Sequence, residues 1–488
     1  MTVLSLSVIA YLIVAIAIGL YASLRVQSAT DYVVAGRELP IYITIATVFA
    51  TWFGSEAVLG IPATFIEEGL GGIVADPFGA GLCLIFVGVF FARKLYRMKL
   101  LTIGDFFKLC YNPLVEALVA IAICISYLGW VAAQLVALGL VIHILSDQAI
   151  SVDMGMVIGL SVVMLYTFFG GMWAVALTDF IQMMIILLGL AVVAWLIAER
   201  YDGGAIAIVQ HAAAHDKFDF WPRWDTGAIL AFVGSFVTLA LGSIPQQDVF
   251  QRVMSAKDET VAARATIIGG GFYMLFCFVP VFIIYGASLL DPALLAMHLE
   301  GDGDYQRILP EFILQHVPLP IQVIFFGALL SAIMSTASGT LLAPSVILAE
   351  NILKPACKLS DKQLLPALRL CVLVFGLIVL GYAYFSNHSG LSIFDMVENA
   401  YLVTLCGAFV PLAFGVYWAR ANTAGALTSI ALGVSCWVAL EIVNWNRDSY
   451  WLLLPPQLGG LAMAIIGMLI GSYAGQSGRH SNTHEHTA

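Results

Sequence analysis

Long runs of apolar residues, separated by short polar connections, extend along most of this chain of 488 residues. A helix needs roughly 20 apolar residues to cross the roughly 30 Å of hydrocarbon in a bilayer. By that measure the pattern predicts thirteen membrane-spanning helices, although the fifth and seventh runs are short and leave twelve or fourteen as alternatives. The predicted spans are 3–23, 40–66, 72–93, 114–146, 153–170, 173–198, 226–243, 264–289, 318–351, 364–385, 394–418, 423–443 and 452–474.

The composition agrees with this pattern. Hydrophobic residues make up 61% of the chain and charged residues only 11%, against about 45–50% and about 25% in ordinary soluble domains. A water-soluble fold could not cover so much apolar surface with so few polar residues. We therefore predict an all-α polytopic membrane protein, which excludes a soluble enzyme, a nucleic-acid-binding protein and a secreted module.

The distribution of basic residues predicts the orientation of the spans. With the N-terminus outside, sixteen of the 21 lysines and arginines fall on the cytoplasmic side and five fall outside. Cytoplasmic loops carry the excess of Lys and Arg, so this orientation is favoured over its reverse. We expect residues 1–474 to form one transmembrane domain in the plasma or inner membrane, followed by a polar cytoplasmic tail at 475–488.

The polar connections are too short to hold a soluble catalytic domain, the longest being 199–225 and 290–317. The chain also lacks the G-x-x-x-x-G-K-[ST] motif that binds nucleotide phosphates, so nothing in it predicts a built-in ATPase. We expect a protein that is not an enzyme and that needs no cofactor besides a coupling ion.

Two spans contain helix-breaking residues. Residues 50–56 read ATWFGSE, with GIP following at 60–62, and residues 242–248 read GSIPQQD. Glycine weakens a helix, and proline removes a backbone donor. Five-helix repeats that each begin with an interrupted helix are typical of inverted-repeat transporters, whose sites lie at the midplane. The alternative is that these residues only kink the two helices.

Three acidic residues fall in or at the ends of apolar spans: Glu56, Asp179 and Asp248. A charge at the centre of a spanning helix costs about 2.5–3.5 kcal/mol, so such residues usually face a water-filled pathway or have a partner. Asp248 has a simpler interpretation, because Arg252 lies one helical turn further on and could pair with it.

The ninth span carries hydroxyl side chains at Ser335 and Thr336, flanked by small residues. Neutral oxygens of this kind suit a hard monovalent cation, and main-chain carbonyls from the break at 50–53 could complete the shell. Alternatively, the hydroxyls bond to carbonyls of their own helix or allow close helix packing.

Residues 166–182, YTFFGGMWAVALTDFIQ, resemble the Y-T-x-x-G-G-x-x-A-V-x-x-T-D-x-x-Q signature of the sodium:solute symporter family. Residues 251–257, QRVMSAK, and 332–336, AIMST, resemble two further segments of that family. The resemblance implies a leucine-transporter-type 5+5 inverted repeat with two broken helices, alternating access, and solute uptake driven by the sodium gradient. It divides the chain into an extra helix at 3–23, repeats at 40–198 and 226–418, and two C-terminal helices at 423–474.

The resemblance also implies a sodium site. The family's ligands fall on the carbonyls of Ala50, Phe53 and Ala332 and on the hydroxyls of Ser335 and Thr336. Asp179 matches a family aspartate that is linked to a second cation position or to an exit path.

Within the family, the chain resembles the branch of the high-affinity choline transporters, on Trp52, Trp130 and residues 242–252. Tryptophan faces bind quaternary ammonium groups by cation–π attraction, worth about 2 kcal/mol or more when desolvated. The chain departs from that branch at Gln246, where the branch has tryptophan, and at Ala80, where it has tyrosine. The predicted solute-binding residues are Trp52, Glu56, Trp130, Gln134, Gln246 and Gln247.

We therefore predict a sodium-coupled symporter that imports a small organic solute, with an organic cation such as a quaternary ammonium as the leading expectation. Its partners are the solute, sodium and the lipid bilayer. One alternative is a channel-like protein or uniporter without coupling. The other is a proton-coupled carrier, working through Glu56 or Asp179, of an amino acid or another zwitterionic or carboxylate solute.

Overall fold

The computed structural model describes residues 3–299, 305–389, 393–445 and 454–475. Within these ranges every regular element is a helix, and one isolated bridge joins Leu39 to Ala256. The all-α prediction is therefore confirmed. Apart from Gly475, the predicted tail at 475–488 lies outside the described residues, as do residues 452 and 453 of the predicted thirteenth span.

The described spans agree with the apolar pattern. Ten helices are long and apolar enough to cross a membrane, and two bent helix pairs raise the number to twelve. In chain order these spans are Val3–Ser23, Ile41–Trp52 with Glu56–Gly71, Val74–Arg97, Pro113–Leu145, Val152–Arg200, Thr226–Gly242 with Gln247–Ser255, Glu259–Leu290, Leu319–Cys357, Asp361–Asn387, Met396–Tyr417, Thr423–Asn444 and Pro456–Ala474.

The helix Val152–Arg200 contains two spans. Its 49 residues would measure about 70 Å as a straight helix, more than twice the thickness of the hydrocarbon core. At Gly171 the backbone leaves the helical conformation, with φ 49° and ψ −140°. A side chain there would collide with the carbonyl oxygen of Tyr32. Counting this helix twice gives thirteen spans in the described residues, and Gly171 falls between the predicted fifth and sixth.

Both predicted helix breaks are present. The second span bends by 62° between Trp52 and Glu56, and the seventh bends by 44° between Gly242 and Gln247. At the first bend Phe53 leaves the helical region, with φ −78° and ψ 71°. At the second, Gln246 is extended, with φ −73° and ψ 139°. These bends free main-chain groups within the protein interior, where bilayer proteins allow irregular backbone.

The helix Leu319–Ile347 lies at the centre of the bundle and packs against Ile41–Trp52, Pro113–Leu145 and Val152–Arg200. Its residues from Ala328 to Ile347 are all buried. The final two spans pack chiefly against each other. This arrangement places the hydroxyl residues of the ninth span directly beside the first helix break.

Five shorter helices were not predicted, because a search for long apolar runs does not detect elements of so few residues. They are Ala29–Val34, Ile103–Cys110, Gly204–Ala214, Pro292–Leu299 and Ile308–His316. Two of them begin with reciprocal capping boxes, Ser28 with Asp31 and Thr102 with Asp105, which satisfy amide groups that a helix start leaves free.

Candidate cation and solute site

The first helix break presents the carbonyl oxygen of Ala50 to the ninth span. The Thr336 hydroxyl donates to it at 3.1 Å, and the Ser335 hydroxyl lies 3.4 Å away. All three residues are fully buried. A carbonyl and two hydroxyls therefore converge where the second and ninth spans meet, and they are neutral oxygens of the kind that sodium prefers.

The other predicted cation ligands lie around this point. Asp179 joins it from the sixth span, because the Ser335 hydroxyl donates to Asp179 Oδ1 at 2.7 Å. Ala332 lies one helical turn before Thr336 and is buried, and Phe53 is buried at the break itself. The structure thus brings the hydroxyls, the Ala50 carbonyl and the Asp179 carboxylate together.

A buried arginine is the partner of Asp179. Arg252 Nη2 lies 3.7 Å from Asp179 Oδ2, and the two side chains are 1% and 0% exposed. The same guanidinium donates from Nε to the Thr47 carbonyl at 3.0 Å and from Nη1 to the Asp248 carbonyl at 3.2 Å. The pair connects the sixth and seventh spans to the second.

The side-chain pair between Arg252 and Asp248 that their spacing suggested is not formed in the structure. Arg252 contacts only the main-chain carbonyl of Asp248. The Asp248 carboxylate instead accepts a short hydrogen bond from the Tyr127 hydroxyl. The Asp248 amide donates back to that hydroxyl oxygen at 2.9 Å, so Asp248 is held by the fourth span.

An aromatic cluster adjoins the first break. The ring centroids of Trp52 and Trp130 lie 6.4 Å apart. Tyr273 packs edge-on against Trp52 at 6.3 Å, while Tyr401 at 5.4 Å and Tyr127 at 5.8 Å pack against Trp130. Trp52 Nε1 is buried without a hydrogen-bond partner among the described residues. We call these five residues the aromatic cluster.

The two tryptophans of this cluster were predicted from the sequence, but its three tyrosines were not. Tyr127 lies one turn before Trp130, a spacing at which side chains of a helix share a face. Tyr273 and Tyr401 come from the eighth and eleventh spans, and no local pattern pointed to them.

Gln134 connects the cluster to the helix break. Its Oε1 accepts from the Ser55 amide at 3.0 Å, and its Nε2 donates to Glu56 Oε2 at 2.8 Å. Glu56 is 1% exposed and forms no ion pair with the described residues. A Cβ atom on Gly54 would lie 2.7 Å from Gln134 Oε1 and 2.6 Å from Thr336 Oγ1. The glycine thus separates the candidate cation site from the candidate solute site by one residue.

The two glutamines of the second break point in different directions. Gln246 donates to the Ser126 hydroxyl at 2.9 Å and lies 3.4 Å from Thr404 Oγ1, so it belongs with the fourth span beside the aromatic cluster. Gln247 instead accepts from the Ile103 amide at 2.8 Å. The structure therefore does not bring Gln247 to the other predicted solute-binding residues.

A helical membrane protein with two bent spans, and with buried polar groups converging at the bend, has the architecture of a membrane transporter. A sequence model of the sodium:solute symporter family matches residues 32–433, and the chain belongs to that family. This membership confirms the predicted family and the expectation that the protein is not an enzyme.

Solved structures show the same fold. A Na⁺-coupled sialic acid symporter in a substrate-bound outward-open state aligns with a TM-score of 0.82 and 21% identity, covering 97% of this chain and 98% of that one. Mhp1, a nucleobase-cation-symport-1 family transporter, aligns with a TM-score of 0.56 and 13% identity over 91% of this chain and 94% of that one. The predicted leucine-transporter-type fold is confirmed.

The chain is also similar to characterised transporters. The human high affinity choline transporter 1 is 29% identical over 399 residues, covering 76% of this chain and 66% of that protein, so the match spans just under two thirds of its length. The high-affinity proline transporter PutP of Bacillus subtilis is 26% identical over 94% of this chain and 96% of its own length. The Escherichia coli sodium/pantothenate symporter is 25% identical, over 97% and 96% respectively.

Proposed function

We propose that this protein is a sodium-coupled symporter of the plasma or inner membrane that imports a small organic cation. The observation that carries the proposal is the position of Gly54 between Thr336 and Gln134. Sodium bound on one side of this residue orders the same stretch of backbone that shapes the solute site on the other side. Two ligands that order one segment bind with positive coupling, and each raises the affinity of the other by the same factor.

The proposed sodium site comprises the carbonyls of Ala50, Phe53 and Ala332 and the hydroxyls of Ser335 and Thr336. The Thr336 hydroxyl donates to the Ala50 carbonyl and so links the ninth span to the second. A sodium ion held by these oxygens would itself link the second and ninth spans, with the Thr336 hydroxyl oxygen among its ligands. The Asp179 carboxylate, which accepts a hydrogen bond from Ser335, places a negative charge beside this site. Arg252 balances part of that charge.

The proposed solute site comprises Trp52, Glu56, Trp130, Gln134 and Gln246. Tryptophan faces attract a desolvated organic cation with about 2 kcal/mol or more. The buried Glu56 carboxylate supplies the opposite charge, since it has no ion-pair partner among the described residues. The similarity to choline transporters supports a cation as the solute, while the similarity to PutP and the pantothenate symporter keeps a zwitterion or carboxylate as the alternative.

Uptake by purified protein in proteoliposomes tests the proposal. We expect an inward sodium gradient to drive accumulation of radiolabelled choline or another small organic cation, in preference to proline and pantothenate. Trp52→Ala should reduce that uptake at least tenfold, whereas Trp224→Ala, at a position that is 95% exposed, should not. Uptake that is unchanged when potassium replaces sodium would overturn coupling in favour of a uniporter. Accumulation driven by a pH gradient alone would favour proton coupling through Glu56 or Asp179.

A further inference from the structure

Besides Glu56 and Asp248, a further acidic residue, Asp76, borders the aromatic cluster through Tyr273, and no sequence pattern pointed to it. Asp76 lies in the first turn of the third span, at a position where the backbone is extended, with φ −136° and ψ 123°. Its side chain is 3% exposed. A carboxylate buried in a membrane-spanning segment generally faces a pathway or has a partner.

Tyr273 connects Asp76 to the aromatic cluster. The Tyr273 hydroxyl donates to Asp76 Oδ1 at 2.6 Å, and the same ring packs against Trp52 in a T-shaped arrangement. Oδ2 of Asp76 receives no hydrogen bond from the described residues, and Asp76 forms no ion pair with them. One oxygen of this carboxylate therefore has no hydrogen bond from the described residues, and the other is linked to the aromatic cluster through Tyr273.

We infer that Asp76 is a solute-binding residue that accepts a hydrogen bond from a donor on the transported cation. The inference rests on the proposed function. A fully methylated ammonium fills an aromatic cage but has no hydrogen to donate, so it would leave Asp76 unsatisfied. The matching solute is a cation with a second polar end that carries a donor, either the hydroxyl of an amino alcohol or the N–H of a second ammonium.

Specificity follows from the burial of this carboxylate. A site built to bond a polar hydrogen rejects analogues that lack it, because its own polar group is then left unpaired in a dry environment. Hydrogen-bond selectivity of this kind can exceed what an apolar contact of similar size provides. Asp76 would therefore determine which organic cations are carried, while the tryptophans provide affinity for the charge.

Thermal-shift titrations of the purified protein in sodium, against two matched pairs of compounds, test this inference. Choline and its methyl ether differ in the hydroxyl donor, and (3-aminopropyl)trimethylammonium and its fully methylated bis-quaternary analogue differ in the N–H donors. We expect the donor-bearing member of at least one pair to bind wild-type protein at least tenfold more tightly. A preference in the first pair identifies a hydroxyl donor, and one in the second identifies an ammonium donor.

Two variants assign the preference to the carboxylate. Asp76→Leu should abolish it, while Asp76→Asn, which keeps an acceptor but no charge, should retain more of a hydroxyl preference than of an ammonium preference. Asp216→Asn, on an exposed loop, is the control for loss of one acidic residue.

Two results overturn the role of Asp76 but leave the proposed function standing. One is that these cations stabilise the protein in sodium with no preference within either pair. The other is that a preference survives in Asp76→Leu. Should Asp76→Leu fail to fold, Asp76→Asn decides, because an unchanged preference in both pairs in that variant overturns the inference. Absence of sodium-enhanced binding by every cation overturns the proposed function as well.

Discussion

The Ser335 hydroxyl of the ninth span donates a hydrogen bond of 2.7 Å to the Asp179 carboxylate of the sixth span. The same hydroxyl lies 3.4 Å from the Ala50 carbonyl at the break of the second span. One side chain thus contacts both positions at which a cation was predicted. An ion bound at either position would change the hydrogen bond that Ser335 makes at the other.

Removal of the two hydroxyls should weaken sodium binding before it unfolds the protein. In Ser335→Ala with Thr336→Ala we expect at least a tenfold higher sodium concentration for half-maximal uptake, because two of the five proposed ligands are lost. The bond from Thr336 to the Ala50 carbonyl contributes only about 1 kcal/mol to stability, and the bond from Ser335 to the Asp179 carboxylate contributes about 1.5–3 kcal/mol, so the folded protein should persist. Ser345→Ala is the matched control, since that buried hydroxyl bonds only within its own helix, to the Leu341 carbonyl. Wild-type sodium activation in the double variant would refute the site.

The Asp179–Arg252 pair should show strong coupling in a double-mutant cycle. Arg252→Gln leaves a buried carboxylate uncompensated, and breaking a buried pair in this way costs about 3–5 kcal/mol. Asp179→Asn leaves the arginine without its partner and should also destabilise. The double variant should be more stable than the sum of the two single effects predicts. Apparent melting temperatures of the four proteins in detergent measure this, and strictly additive effects would contradict the pairing.

Gly54→Ala should impair both binding events at once. The new methyl group would lie 2.6 Å from Thr336 Oγ1 and 2.7 Å from Gln134 Oε1, which is closer than real Cβ contacts allow. We expect sodium and solute affinity to fall by at least tenfold each, as measured by the sodium dependence and the solute dependence of uptake. Gly327→Ala is the control, because a Cβ atom there meets nothing within 4 Å. Loss of only one affinity would argue against a shared segment.

Arg37→Ala should make the interior of the protein more accessible from the side that is predicted to be cytoplasmic. Arg37 donates to the Leu100 carbonyl at 2.8 Å and to the Met254 carbonyl at 3.3 Å. These bonds lie beside the backbone bridge in which Leu39 N–H donates to Ser255 at 3.0 Å. Without them, a cysteine introduced at Gln247 should react faster with a thiol reagent applied from that side.

Lys362→Ala, which removes an exposed positive charge elsewhere, is the control for the Arg37 experiment. Equal labelling rates in the Arg37 variant and the control would show that these bonds do not hold this side of the protein closed. Reaction only with reagent applied to the opposite face would contradict the predicted N-out orientation.

Much of this fold could be predicted from the sequence because the signals are local. An apolar run of sufficient length defines a span without reference to the rest of the chain. The two breaks were predicted for the same reason, since glycine and proline act on their own backbone. The cation site was predicted through a motif, and the structure places Ala50, Ser335, Thr336 and Asp179 together. The division into repeats and the ligand roles stay predictions.

The partner of the Arg252 side chain could not be predicted from the local sequence. The position of Arg252 one turn after Asp248 suggested a pair on one helix face, but the bend before Gln247 turns this short helix and places the guanidinium against Asp179. Gln247 faces Ile103 instead of the solute site for a related reason. The direction of a side chain after a bend depends on how the bent helix packs, and that packing is not encoded in the spacing of residues.

The sequence by itself determined the membrane class, the spans, the two breaks and the hydroxyl-bearing helix. Only the tertiary structure decided which side chains meet at the breaks. Four residues of the aromatic cluster lie on four different spans: Trp52, Trp130, Tyr273 and Tyr401. Asp76, which contacts the cluster, lies on another, the third span. Every apolar helix gains the same hydrophobic stabilisation from entering the bilayer, whichever neighbours it packs against, so this term does not select the contacts. The contacts are set by helix packing and by the hydrogen bonds that buried polar groups must find.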